Sequence, residues 1–254
     1  MTLVLLVRKM KTRRKKYHDR LYLIEELSCR YGGWSGLRKF HFLRRRYLWM
    51  LVVGGSKCVK RSMDIIVSVV VLLLLLPLLV FVAVLIKLTD GGPVFFSQTR
   101  IGKWGREFSV YKFRSMVCQA DKQVEDVVAM SHHLDSISYK IKNDPRITWV
   151  GQLIRKSSID ELPQLVNVLK GEMSLVGPRP HVFREVVQYT LADRRRLDVT
   201  PGITCIWQIS GRADIPFAEQ LQLDVNYIDS QSFLTDIKIL LKTVPAVLSA
   251  KGAY

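Results

Sequence analysis

Between Asp64 and Lys87 lie 22 residues without a charged side chain. About 20 apolar residues in a helix match the hydrocarbon thickness of a bilayer, so a run this long and uniform predicts a membrane helix rather than the core helix of a soluble protein. Pro77 sits near its middle, where a proline removes one backbone hydrogen bond and predicts a kink or break. Each arm then reaches roughly 17 Å, enough to enter the hydrocarbon, turn and leave by the same face. The run divides the chain into a basic leader over residues 1–61, a membrane segment over 62–90 broken near Pro77, and a globular part over 91–254.

Residues 1–61 hold 17 Lys and Arg against three acids, so +14 of the net +17 lies in the leader. Such a leader suits either nucleic acid or anionic lipid headgroups, and the adjoining membrane run favours lipid. Short apolar stretches at 21–27 and 47–53 suit helices lying on the membrane surface. The positive-inside rule places the leader in the cytoplasm. A spanning helix would put residues 88–254 outside the cell; a re-entrant one keeps them in the cytoplasm. Cys29, Cys58, Cys118 and Cys205 form no CxxC pair, which argues for reduced thiols rather than a disulfide framework or zinc site. Residues 2–7 are apolar but precede the basic residues and lack a cleavage signature, so no signal peptide is expected.

The globular part reads as α+β and mainly helical. Val94-Phe-Phe-Ser-Gln98 and Glu107-Phe-Ser-Val-Tyr-Lys-Phe113 flank a glycine turn and predict a hairpin. Residues 117–143 are polar and poorly patterned, and the adjacent His132 and His133 would point apart rather than share a metal. Leu162, Leu165, Val166 and Leu169 recur on one helical face that Gly171 ends, and Ser158 with Glu161 has capping-box spacing, so a helix should start between 158 and 162. In the C-terminal stretch over 217–248 the pattern is helical, Pro245 should kink or end a helix, and Asp224 and Asp236 read by default as surface acids. Trp207 reads as core before it reads as a base-stacking platform.

Asp160 and Glu161 fall at the positive end of the predicted helix, where acids often do no more than complement the dipole. Their surroundings suggest more. Arg155 and Lys156 lie just upstream, and Gly177-Pro-Arg-Pro180 follows as a rigid loop presenting Arg179, so acids and fixed cations converge on a site able to hold a phosphate and a divalent metal. Mg2+ needs only one or two carboxylates when a diphosphate supplies further oxygens. The cations and helix terminus should keep Asp160 ionised at neutral pH, and an ionised carboxylate there can act as a nucleophile giving an acyl phosphate.

Tyr111-Lys-Phe-Arg-Ser-Met116, Asp144-Pro-Arg-Ile-Thr148, Ser158-Ile-Asp-Glu-Leu-Pro-Gln164, Leu169-Lys-Gly-Glu-Met-Ser-Leu-Val-Gly-Pro-Arg-Pro180 and Gly252-Ala-Tyr254 occur in this order. Together they resemble the bacterial sugar transferase family, monotopic polyprenyl-phosphate phosphoglycosyl transferases, from about Lys60 to the C-terminus. The resemblance implies a re-entrant membrane helix-hairpin at the bacterial inner membrane and a cytoplasmic catalytic domain. It implies a Mg2+-dependent ping-pong reaction that moves a hexose 1-phosphate from a UDP-sugar to undecaprenyl phosphate with release of UMP. By motif position Asp160 is the nucleophile and Glu161 a metal ligand with Asp160 beside it. Lys112, Arg155 and Arg179 bind phosphate, Pro178 and Pro180 shape the loop, and Asp236 belongs to the active-site region. The C-terminal motif suggests glucose 1-phosphate or galactose 1-phosphate, in the first membrane step of exopolysaccharide, capsule or O-antigen synthesis. Two positions depart from the family pattern: Leu76 where some relatives have Ser before the membrane proline, and Trp149 where Pro is usual. The implied partners are the donor, the lipid acceptor and inner-membrane lipids, with no nucleic acid, and a second copy packing against the hairpin. The alternatives are a membrane-tethered polyanion-binding or assembly protein whose acids are only caps, and a transferase that moves the sugar alone and releases UDP.

Overall fold

The computed structural model describes residues 36–118, 120, 144–211 and 215–249, together with Glu26. Apart from Glu26, the leader stretch at 21–27 lies outside the described residues, as do the adjacent histidines and the Gly-Ala-Tyr motif. The chain forms two units, Met1–Lys57 and Cys58–Tyr254. In the first, the described backbone is helical from Gly36 on. The second holds the apolar helix and everything after it.

Helix α1, Gly36–Asp90, contains the predicted membrane run. Pro77 lies inside it, and the helix continues on both sides, so the two arms expected from the proline form one continuous element. Polar bonds fix each end of the run to the globular part. Near the start, Lys60 donates to Asp236 at 2.6 Å and to the Val176 carbonyl at 3.1 Å. Arg61 donates to the carbonyls of Val168 and Leu169 at 2.6 and 2.8 Å, and the Leu175 N–H donates to Asp64 at 3.1 Å. At the other end Arg114 donates to Asp90. Between these anchors Val67, Val71 and Leu72, then Leu79, Val82 and Ile86, pack on the globular part, whereas Leu73, Leu74, Leu76, Pro77 and Leu78 are exposed.

The predicted hairpin forms as strands β1, Phe95–Ile101, and β2, Glu107–Phe113, antiparallel with Phe96 opposite Lys112. Helix α2, Trp149–Lys156, is followed by a 3-10 turn, Ile159–Glu161, and helix α3, Gln164–Lys170. Gly171 ends α3 with a φ of 85°, the left-handed stop its position predicts. Strand β3, Ser174–Val176, pairs in parallel with β4, Gly202–Thr204, and the short helix α4, Phe183–Val186, lies between them in sequence. Helices α5, Ile206–Ser210, α6, Phe217–Asp229, and α7, Phe233–Ser249, complete the described chain. Pro245 is accommodated inside α7 rather than ending it.

Two apolar clusters share β2. Val110 joins Leu165, Val168, Met173, Leu175, Val176, Tyr227 and Ile239, with Val67 and Val71 of α1 against them. Phe113, three residues on, joins Val82 and Ile86 of α1 to Val150 and Ile154 of α2. Trp207 is buried, in keeping with a core role. The surface reading of Asp224 and Asp236 is wrong: they are 0% and 1% exposed. Each is buried because a cation meets it, Arg196 at 2.6 Å for Asp224 and Lys60 at 2.6 Å for Asp236, and a charge so paired can leave water.

Asp236 also accepts from the Tyr227 hydroxyl at 2.7 Å. Asp236→Ala leaves Lys60 and Tyr227 without their acceptor and should destabilise the protein by roughly 3 kcal/mol, the low end for a broken buried pair because Lys60 keeps some access to water. Thermal denaturation of the two proteins in the same detergent checks this.

Candidate active site

A local irregularity builds the turn that carries the acids. Ser158 has a φ of 56°, a left-handed conformation that residues other than glycine adopt rarely. The 3-10 turn follows, and Pro163 introduces α3 at a φ of −59°, where its missing N–H is harmless. The expected capping box does not form, because Ser158 makes no side-chain cap bond. Glu161 instead accepts on Oε1 from Lys112 Nζ at 2.7 Å and from Arg179 Nη2 at 2.9 Å. Two charge-assisted bonds outweigh one to a neutral backbone N–H.

Lys112 comes from β2 and also stands 4.0 Å from Asp160. Arg179 comes from the loop after β3, which is fixed from behind through its carbonyls. The Gly202 N–H donates to Pro178 at 2.9 Å, Arg196 to Arg179 at 3.0 Å, and Arg100 to Pro180 at 3.0 Å. A Cβ on Gly202 would lie 2.1 Å from the Gly177 nitrogen, so this close approach of the two strand ends requires glycine. Arg155 on α2 donates to Ser115 at 2.8 Å, and its charge is felt at Asp160. Lys112, Arg155, Arg179, Pro178 and Pro180 are thus all tied to the acidic turn or to its loop. Asp236 is not: its bonds run to Lys60 and Tyr227. Lys60 in turn holds the Val176 carbonyl, so Asp236 supports the loop from outside the cluster.

The adjacent carboxyls are driven apart electrostatically. Burial pushes Asp160 up to about 6, against the pull of Lys112 and with a further rise from the Glu161 charge. Desolvation therefore outweighs the cations that the sequence suggests would hold Asp160 low. At pH 7 a group of pKa about 6 is still ionised by about ten to one. For Glu161 burial acts upward, but the charges of Arg179 and Lys112 and their hydrogen bonds overcome it and hold the carboxyl far below the usual range. Arg100 is drawn down to about 10 by burial and then by repulsion from Arg179, the mark of crowded cations short of an anion. Neighbouring carboxylates in such unlike environments suit unlike roles.

Among the described residues no three His, Cys, Asp or Glu side chains converge as a metal site made of protein alone. The acidic pair nevertheless fits a hard divalent cation that draws most of its ligands from substrate and water. Both basic partners bond Glu161 through Oε1, leaving Oε2 without a hydrogen bond among the described residues.

The bacterial sugar transferase family model matches residues 55–250 of the chain. The chain belongs to the bacterial sugar transferase family. It is 42% identical over 205 residues to the exopolysaccharide production protein ExoY of Rhizobium meliloti, covering 80% of this chain and 90% of that protein. It is also 42% identical over 208 residues to the undecaprenyl-phosphate galactose phosphotransferase of Salmonella typhimurium, covering 80% of this chain and 43% of that protein. To the UDP-glucose:undecaprenyl-phosphate glucose-1-phosphate transferase of Escherichia coli it is 40% identical over 214 residues, 79% of this chain and 42% of that protein. The match to this sugar transferase family takes in the acidic turn, its cations and most of α1.

Three residues of the site escape sequence reasoning. Arg100 sits in a strand whose partners only the register fixes, and Arg196 sits in a run of arginines whose members periodicity cannot tell apart. Ser115 lies inside the Tyr111–Met116 motif, but nothing local marks it as the partner of Arg155.

The raised Asp160 gives a stability prediction. Between about pH 4 and pH 6 the folded protein holds a proton that the unfolded chain has lost, so stability falls as pH rises through that window. Above it the cost of ionised Asp160 is fully present. Asp160→Asn, measured without metal at pH 7.5, should therefore be more stable by about 3 kcal/mol, with the gap closing near pH 4. Melting curves at the two pH values check the sign.

Proposed function

We propose that this enzyme transfers a hexose 1-phosphate from a UDP-sugar to undecaprenyl phosphate, through a covalent intermediate on Asp160. The observation that carries the reading is the pairing of a buried, basic Asp160 with a Glu161 clamped by Lys112 and Arg179, in a chain related to proteins named for that chemistry. An Asp160 oxygen attacks the phosphorus that bears the sugar, forming an acyl phosphate as the bond to the bridging oxygen breaks and UMP leaves. A phosphate oxygen of the lipid then attacks the same phosphorus, forming the diphosphate and returning Asp160 as a carboxylate. With all groups ionised, neither step needs a net proton.

Each residue has a task in that sequence. Burial makes Asp160 more basic than an ordinary carboxylate, which strengthens it as a nucleophile while it stays mostly ionised at pH 7. Lys112, Arg155 and Arg179 offset the negative charge of the diphosphate, and Pro178 and Pro180 stiffen the loop that aims Arg179. Glu161, with Asp160 beside it, would hold Mg2+, which when bound supplies Lewis-acid polarisation of phosphoryl oxygens.

The bonding of both polar ends of the apolar run in α1 to one globular unit, with the stretch around Pro77 exposed, supports a re-entrant membrane arrangement. On this reading the segment bends at Pro77 within the bilayer and both its ends meet one face, with the catalytic unit on the cytoplasmic side where UDP-sugars are made. The pathway served is exopolysaccharide, capsule or O-antigen synthesis, with glucose or galactose as the sugar.

Membranes holding the protein, given Mg2+, undecaprenyl phosphate and a panel of UDP-sugars, should release UMP with one donor, and Asp160→Asn should lower that rate by at least about a thousandfold, the scale for loss of a covalent nucleophile. Release of UDP would mean transfer of the sugar alone, and no release with any donor would leave a non-catalytic, polyanion-binding protein.

A further inference from the structure

The hairpin that supplies Lys112 also carries two exposed phenylalanines that the chemistry above does not use. Phe95 is 58% exposed and Phe96 is 41% exposed, a large apolar surface for neighbouring residues of one strand. Successive side chains of a strand face opposite sides, so the two serve different surroundings. Phe95 stacks on Phe113 with ring centroids 5.3 Å apart, and Phe113 packs with Val82 and Ile86 of α1. Phe95 is thus one ring removed from α1, whose Val84 and Leu88 are exposed. Phe96 lies on the other side of the ribbon, directly opposite Lys112, and such cross-strand partners share a face with Cβ atoms about 5 Å apart.

Lys112 reaches both acids, at 2.7 Å for Glu161 and 4.0 Å for Asp160. Exposed aromatic surface thus flanks β1 on both faces, Phe95 on the side stacked on Phe113 and Phe96 on the side of the lysine at the acidic turn. Along the same strand face the character changes within four residues. Gln98 and Arg100 follow Phe96, Arg100 donates to Gln98 Oε1 and to the Pro180 carbonyl, and Arg179 stands in that loop. One end of the strip suits a hydrocarbon chain and the other a polyanionic head.

We propose that Phe96 seats the first isoprene units of the acceptor lipid, setting its phosphate against Lys112 in line with Asp160, while the nucleotide of the donor occupies the Arg100 and Arg179 end. The occupant is a lipid phosphate because exposed aromatic surface beside a cation, on a strand whose start stacks on a ring packed against the membrane helix, suits a hydrocarbon chain that ends in an anionic head. Phe96 acts as a positioning residue: it touches the lipid chain and not the reacting phosphorus. The inference rests on the two-step reaction proposed above.

The full-length protein in nanodiscs separates the two half-reactions. Without acceptor, donor alone should give a single burst of UMP, and Phe96→Ala should keep the native burst amplitude while raising the KM for undecaprenyl phosphate roughly tenfold, the size of a lost aromatic contact. The KM for the UDP-sugar should stay within about twofold, and Phe96→Leu, which keeps an apolar side chain, should recover most of the loss. An unchanged lipid KM in Phe96→Ala, or equal loss from both half-reactions, would overturn the role given to Phe96 and leave the covalent mechanism standing. Absence of any burst in the native protein would sink the covalent mechanism and this inference with it.

Discussion

The junction at Glu161 Oε1, where Lys112 and Arg179 meet one oxygen, is the interaction on which the site depends. It ties together a strand, a 3-10 turn and a loop that are far apart in sequence and that no shared ladder joins. Bringing three charged groups out of water is unfavourable unless each finds a partner, so the arrangement holds only while all three are in place. The same junction gives Asp160 its character. Because its neighbour consumes most of the nearby positive charge, Asp160 is left with the desolvation cost and becomes the more basic of the two.

Structure is legible in this sequence where short-range physics decides the outcome. The hairpin, the stop at Gly171 and the convergence of Arg179 with the acids all follow from periodicity, glycine stereochemistry and rigid turns. Failures occur where a distant partner overrides a local preference. Ser158 and Glu161 have the spacing of a cap, but the carboxylate is taken by cations from β2 and the loop. Asp224 and Asp236 look like surface acids until Arg196 and Lys60 reach them from 28 and 176 residues away in sequence. Three-residue strands such as β3 and β4 are too short for any periodic pattern, and their pairing rests on a close approach at Gly177 and Gly202. Pro77 weakens α1 without ending it, because flanking turns on both sides are held by the globular unit.

Charge along the molecule is arranged in order of depth. The outer face of the apolar run in α1 is exposed and apolar, and the polar residues that flank the run turn inward to backbone and carboxylate partners. Beyond them lies a band of cations around the acids, in which Arg155 and Arg100 are bonded chiefly to neutral oxygens. Such a band retains net positive potential, and low-dielectric walls focus it toward an anion arriving at the mouth. The result is a surface whose two halves differ in kind, one apolar and one attractive to anions.

Arg61 has a consequence for how the protein can be handled. Its guanidinium closes the last carbonyls of α3, the role a C-terminal cap usually performs from within its own helix. Helix α3 is thus finished by a residue of the membrane element, just as Leu175 and Asp236 are satisfied by Asp64 and Lys60. A soluble fragment cut after Gly91 would lose these partners at three separate places in its interior. For this enzyme the bilayer segment is a structural part of the catalytic domain, and removing it to gain solubility removes the fold as well.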